Sequence, residues 1–467
     1  MRRREFLAAG IASAGVGRAT WPSGNGYVRS KRIADLAFDS VQPPSRPVPT
    51  PQQIAWQDAE VGLFVHFGIN SFMDREWGDG TEDPGLFNPT AFDAGQWARA
   101  AKAGGFRYMV LTAKHHDGFC LWPTRLTDHS VARSPWRNGE GDVVREFVDA
   151  ARAEGLGVGL YLSPWDRHEP SYGDSPRYNG FYMAQLTELL TGYGPLIEVW
   201  FDGANGEGPN GKRQEYDWPR VHRTVRELQP RALMFSDAGP DIRWIGNELG
   251  IAGDPNWCPV DPARVPFPGV SAPGVTEALQ HGDPEGTVWR PGEADVSIRP
   301  GWFWHAAEDD RVRTADELVE LYFLSVGRNA NLLLNVPPTK DGVFHATDVA
   351  RLTEFGRRIR TLFAEDLAAG AQVTRSDRAV ELELRRPTTF AIASLAEDIA
   401  HGQRIAGYRL QAWTGAAWTT LARGTTIGHR RLARFAPVTA SRVRLTAESA
   451  LDTPRLGSPA VALYATG

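Results

Sequence analysis

Cysteine is nearly absent from this chain: Cys120 and Cys258 are the only two among 467 residues. So few thiols exclude a disulfide framework and a cysteine-rich metal site, leaving room for one bridge at most. Beyond the N-terminus there is no long apolar run, so the sequence offers no segment to cross a bilayer as a helix. An excess of one charge is lacking too. Lys and Arg number 51 against 56 Asp and Glu, for a net charge of -5, and they are spread along the chain, which gives nucleic acid no basic patch to hold. No Gly-x-Ser-x-Gly elbow occurs, and no Gly-x-Gly-x-x-Gly turn leads directly from a strand into a helix. Serine-nucleophile and dinucleotide chemistries therefore lose their usual signatures.

Tryptophan and glycine are plentiful, at 16 and 48 residues. Indoles either fill a large core or form apolar platforms on which the C–H faces of sugars pack while hydroxyls find polar groups at the rim. The N-terminus carries Arg2, Arg3 and Arg4, then Glu5-Phe6-Leu7 and a small, mildly apolar run from Ala8 to Val16. That order predicts an export signal of the twin-arginine kind, followed by a Pro-, Ser- and Gly-rich linker, so residues 1–50 are assigned to signal and linker. The expected location is periplasmic or extracellular.

From Ile54 onward, short apolar runs alternate with amphipathic stretches. The strand-like runs are Gly62–Phe67, Tyr108–Lys114, Gly157–Ser163, Ile197–Asp202, Ala232–Ser236, Ile242–Ile245, Asp295–Ile298 and Asn331–Val336. Between them, Phe92–Ala103 and Asp142–Glu154 place apolar residues at helical spacing, as do Phe181–Leu190 and Val221–Leu228. Eight doubly buried strands separated by helices predict an α/β fold, a (β/α)8-like barrel over residues 51–368. The Pro- and Gly-rich stretch 254–292 reads as an excursion facing the substrate. After residue 368 the texture becomes short strands and turns, predicting a β-sandwich over residues 369–467. Trp413 and Trp418 lie in it, either as structural residues or as a sugar platform.

In a barrel, functional groups gather where strands end. Those ends carry His66, the loop residues Glu76 and Trp77, then His115-His116-Asp117, Tyr161, and Trp200-Phe201-Asp202-Gly203. Three His and an Asp raise the thought of zinc, but neighbouring residues at a strand end point in different directions, and the flanking Trp and Gly suit an organic ligand better. Carboxylates among neutral hydrogen-bonding groups and aromatic walls suit glycoside hydrolysis. By burial alone the key carboxylate is Asp202, Asp117 or Asp237.

Three long runs narrow this. GLFVHFGINSF, TAKHHDGFCLW and EVWFDGANGEG resemble the signature segments of the α-L-fucosidases of glycoside hydrolase family 29. RWIGNELGIAGDPNW and EADVSIRPGWFWH resemble the branch of that family acting on α-1,3/4-linked fucose. The resemblance implies a retaining α-L-fucosidase with Asp202 as nucleophile and Glu248 as general acid/base, with Glu207 or Glu293 as the alternatives for the second role. It implies substrate contacts from His66, Glu76, Trp77, His115, His116, Tyr161, Trp200 and Trp302, no metal or other cofactor, and a fucosylated glycan as partner. Asp295 and Arg299 are implied as supports of a loop, and Ala294 departs from the Cys common in relatives. The competing reading is a non-catalytic fucose-binding protein on the same scaffold.

Overall fold

A computed structural model describes residues 46–466. The export signal and most of the linker lie outside the described residues. From Pro47 onward the chain forms one compact unit. Its first part is a closed barrel of β1 (Val61–Val65), β2 (Tyr108–Lys114), β3 (Gly157–Leu162), β4 (Glu198–Trp200), β5 (Leu233–Ser236), β6 (Ile242–Trp244), β7 (Gly292–Ser297) and β8 (Ala330–Asn335). Every neighbouring pair is parallel, and β8 closes on β1 in the register Val61↔Leu332 to Phe64↔Asn335.

The helices outside the barrel follow their sequence patterns. Ahead of β1, α1 (Pro51–Ala59) starts at a Thr50 capping box. After β1, α2 (Ala94–Gly104) starts where the Asp93 carboxylate accepts the Gln96 N–H at 2.9 Å. It buries Trp97, Ala100 and Ala101 and stops at Gly105, whose φ of 85° few other residues adopt. Similarly, α3 (Val143–Ala153) is capped by Asp142 and buries Val143, Phe147, Val148 and Ala151 against the sheet. Then come α4 (Ser175–Gly192), α5 (Trp218–Leu228), α6 (Ala315–Leu324) and α7 (Ala346–Leu362). The alternation breaks once. β5 passes to β6 through residues 237–241 with no helix, and β6 is followed by a long segment that holds only the short helix Val275–His281 and a two-residue antiparallel pairing of Pro259–Val260 with Val288–Trp289.

Two sequence expectations need adjustment. β7 begins at Gly292 rather than Asp295, because Glu293 interrupts the apolar pattern yet faces the barrel interior, fully buried. The excursion faces the substrate end only in part. Gly269 N–H donates to Asp237 at 2.8 Å, beside Gly203 at the end of β4. Lower down, the segment packs on α1 and the C-terminal sheet: Asn256 N–H donates to Thr426 Oγ1 at 2.9 Å and Cys258 N–H to Gln403 Oε1 at 2.8 Å. Both cysteines are buried and free.

The C-terminal part comprises β9 (Gln372–Arg375), β10 (Ala379–Glu397), β11 (Ile405–Trp413), β12 (Trp418–Gly424), β13 (Arg431–Ala450) and β14 (Leu456–Tyr464), all antiparallel. Runs that read as four short strands in the sequence are two long ones, β10 and β13. Pro387 and Pro437 fall within register shifts of this pair, so each prolyl residue sits at a bulge instead of ending its strand. Leu382 and Leu395, from the two halves of β10, share one apolar cluster with Leu445 of β13 and Val461 of β14, so the bent sheet packs on itself as a sandwich. Trp413 and Trp418 are outside that cluster. They form a cross-strand pair at 5.8 Å, and the guanidinium groups of Arg442 and Arg444 lie over their rings.

Candidate active site

The barrel interior is built in tiers. At the bottom, Trp56 of α1 plugs the opening and donates its indole N–H to Glu198 at 3.2 Å. Above it, Glu198 and Glu293 are both fully buried, and Glu293 accepts the Tyr108 hydroxyl at 2.9 Å and the Trp200 indole at 3.0 Å. Burial pushes both carboxyls well above the usual range, and the repulsion from Glu198 raises Glu293 further, so the pair keeps a proton at neutral pH. Glu293 is thus built into the barrel core, whereas Glu207 is exposed on the loop after β4. Trp200 stacks on Phe235 at 4.2 Å and leans on Tyr161 at 5.2 Å. It forms the floor beneath the mouth, carrying Tyr161, rather than an open wall.

Strand alternation sends Asp202 to the same side as Glu198 and Trp200. At the mouth its Oδ2 accepts the Tyr161 hydroxyl at 3.2 Å and its Oδ1 accepts the Ala204 N–H at 2.7 Å. His116 Nε2 is 3.8 Å from Oδ2, and His116 Nδ1 is fixed at 2.8 Å from Ser163 Oγ. The His115 ring lies 4.1 Å from His116 and is nearly parallel to Tyr161 at 5.9 Å. His66 is held through Nδ1 by Asn335 Oδ1 at 2.8 Å and faces Trp302 at 5.1 Å. Trp77 meets His116 edge-on at 5.8 Å. The structure therefore gathers His66, Trp77, His115, His116, Tyr161, Asp202 and Trp302 around one mouth.

Glu76 has a visible second task. Its carboxylate accepts the N–H groups of Trp302 at 2.8 Å and Phe303 at 3.1 Å and pairs with His305 Nε2 at 2.8 Å. Asn335 Nδ2 takes the Trp302 carbonyl at 2.8 Å, so the Trp302 loop is fixed from both sides. Arg299 holds the same loop from below by pairing with Asp348 at 3.0 Å and Asp309 at 2.8 Å. Glu248 is half-buried on the turn after β6, which Asn247 braces by donating to the Ile251 carbonyl at 2.9 Å.

The other two aspartates sit differently. Asp117 is buried, accepts the Asn70 amide at 3.0 Å and the Phe119 N–H at 2.7 Å, and burial pushes its pKa up to about 7. A carboxyl that is half protonated near neutrality is a poor nucleophile. Asp237 accepts the Gly269 and Ala238 N–H groups and ties down the excursion.

Sequence reading passed over Trp165, Asn335 and Phe303. Trp165 lies 5.0 Å from His116 and 5.8 Å from Trp77, and Phe303 lies 5.1 Å from His115. The signal for Trp165 and Asn335 was their place just past or at a strand end. Phe303 had none, because only the folded loop brings it to the histidines.

Comparison with known proteins agrees with this geometry. The family described as Alpha-L-fucosidase matches residues 38–241 and 269–361, so the match spans Asp202 and the histidines but not the Glu248 turn. Alpha-L-fucosidase 1 of Arabidopsis thaliana is 43% identical over 445 residues, covering 88% of this chain and 86% of that one. The crystal structure of SpGH29 is 43% identical with a TM-score of 0.85, covering 91% of this chain and 99% of that one. A Ruminococcus gnavus GH29 fucosidase solved in complex with fucose is 33% identical with a TM-score of 0.81, covering 92% and 97%. A carboxylate held among histidines and indoles at the mouth of a closed barrel, in a chain matched by this family over most of its length, places the protein among the α-L-fucosidases of glycoside hydrolase family 29, fucose-releasing hydrolases.

Proposed function

We propose that this fucosidase works with retention by double displacement and favours α-1,3/4-linked L-fucose at the ends of branched glycans. Asp202 attacks the anomeric carbon as the bond to the aglycone oxygen breaks, and Glu248 gives that oxygen its proton. Water, deprotonated by Glu248, then attacks the same carbon of the fucosyl ester, releasing fucose and the Asp202 carboxylate. The observation carrying this reading is the Asp202 carboxylate itself, held by Tyr161 and Ala204 among imidazole and indole rings at the mouth. Such a setting suits a neutral sugar and preorganises the nucleophile. The linkage preference rests on the resemblance of the Glu248 and Trp302 runs to the α-1,3/4 branch. By its Arg2-to-Leu7 order the chain is exported through a twin-arginine route to the periplasm or beyond. Among the described residues no helix is long and apolar enough to cross a membrane.

The test compares fucose release from 4-nitrophenyl α-L-fucoside and a Lewis-type trisaccharide by wild type and Asp202→Ala. Release from both, lost in the variant, with β-to-α anomer order followed by NMR showing α-fucose first, supports the proposal. First-formed β-fucose would exclude retention. Release from the nitrophenyl fucoside alone would overturn the linkage assignment, and fucose binding without any turnover would point to a lectin.

A further inference from the structure

We propose that Asp295 is a positioning residue for Glu248, acting through the indole of Trp244; the inference rests on the acid/base reading of Glu248 given above. β6 is one of the two shortest strands of the barrel. It has three residues, no helix links it to β5, and only the short helix Val275–His281 within the long excursion follows it. Its ladder to β7 covers only Arg243↔Gly292 and Trp244↔Glu293, continued by the Ile245 N–H donating to the Glu293 carbonyl at 3.2 Å. Buried Arg243 fixes the middle of the strand by donating to the carbonyls of Leu279 and Arg290 and to Asn256 Oδ1, but the turn that carries Glu248 begins beyond it, after Trp244.

β7 makes up for this from both of its faces. On the interior side Asp295, 2% exposed, accepts the Trp244 indole N–H at 2.6 Å. The Trp244 ring packs partly buried against the aromatic cluster of the barrel interior and against the cluster containing Ala238 and Leu279. On the outer side, Val296 lies so close to Gly250 that a β-carbon there would come within 2.8 Å of it. Gly250 also has a φ of 70°, which a side chain would strain. The turn from Ile245 to Gly250 is thereby clamped between Trp244, held by Asp295, and Gly250, seated on Val296, with Glu248 between the two anchors. Asn247 braces it internally through the Leu249 N–H at 3.1 Å and the Ile251 carbonyl. An acid must lie within hydrogen-bond reach of the leaving oxygen, and a displacement of about 1 Å can cost ~100-fold in rate.

Leaving-group dependence separates positioning of an acid from general damage. 4-Nitrophenolate departs without protonation, whereas a sugar alkoxide needs the proton. Wild type, Glu248→Ala, Asp295→Ala, Asp295→Asn and Trp244→Phe are compared by kcat/KM on 4-nitrophenyl α-L-fucoside and on a Lewis-type trisaccharide, with thermal melting as the check on folding. Asp295→Ala and Trp244→Phe are expected to lose roughly 10- to 100-fold more on the trisaccharide than on the nitrophenyl fucoside. Asp295→Asn keeps an acceptor oxygen and is expected to restore the wild-type ratio between the substrates. Equal losses on both substrates in Asp295→Ala and Trp244→Phe would overturn the proposal. So would an Asp295→Asn ratio as distorted as that of Asp295→Ala, since charge rather than the indole bond would then be the cause. If Glu248→Ala shows no leaving-group dependence, the acid/base assignment itself fails and the proposal with it, a result distinct from the other two. Trp244→Phe keeps the test decisive should Asp295→Ala fail to fold.

Discussion

Raising the pH should loosen substrate binding through His305 while leaving the turnover rate unchanged. The imidazole bridges two carboxylates, with Nδ1 2.7 Å from Asp74 and Nε2 2.8 Å from Glu76. Burial by itself would lower its pKa, but the hydrogen bonds to Asp74 and Glu76 outweigh this and the net direction is up. Since Glu76 also holds the N–H groups of Trp302 and Phe303, the charged imidazole helps fix the Trp302 wall. A hydrogen bond to a charged partner contributes about 1.5–3 kcal/mol when buried. Here Asp74 is 76% and Glu76 38% exposed, and solvent screening brings the clip to about 1 kcal/mol. A folded pKa above the unfolded ~6.5 means that the contribution is complete below that pH and is lost as pH rises through the folded pKa. KM for 4-nitrophenyl α-L-fucoside should therefore rise about five-fold from pH 6 to the alkaline side with kcat unchanged, the signature of lost uniform binding. His305→Ala should show the raised KM already at pH 6 and a flat profile above it. An unchanged pH-dependence of KM in His305→Ala would refute the reasoning, because another group would then be titrating.

Three further outcomes follow from buried groups. Because burial raises Glu198 from about 4.5 to about 8 and shifts Glu293 in the same direction, their protons stabilise the fold fully below the unfolded value, and that contribution is lost as pH rises toward the folded one. Glu198→Gln should flatten the decline of the melting temperature between about pH 4.5 and 8. By contrast, Glu293→Leu strands the Trp200 and Tyr108 donors, costing ~1–3 kcal/mol each, and should lower the melting temperature at every pH; a variant as stable as wild type would contradict the assigned bonds. Burial also raises both thiols, Cys258 to about 11, so a thiol reagent should find neither in the native enzyme and both after unfolding in denaturant without reductant. Fewer than two after unfolding would reveal a disulfide.

The outer shell of the barrel was legible because helix and strand periodicity record burial against one neighbour. Asp93, Trp97 and Gly105 announce the start, face and end of α2 by local rules alone. β7 was legible only from Asp295 onward. Glu293 is an ionisable residue in an apolar setting, tolerated because burial keeps a proton on the Glu198–Glu293 pair and because Tyr108 and Trp200, distant in sequence, donate to its oxygens. The long strands β10 and β13 read as short ones in the sequence, since only the pairing partner shows that Pro387 and Pro437 sit at bulges within them.

The same division holds at the mouth. The sequence alone determined which residues stand at strand ends, His66, His115, His116, Tyr161 and Asp202, because strand length and alternation fix both position and side. It also determined the family, through three runs that each combine a buried strand with its terminal polar groups. Only the tertiary structure decided that Trp200 is floor, that Glu76 holds the Trp302 loop, and that Trp165, Asn335 and Phe303 belong to the site. These are contacts between loops far apart in the chain. Their geometry depends on where the closed barrel carries each strand end, and no local pattern of residues encodes that.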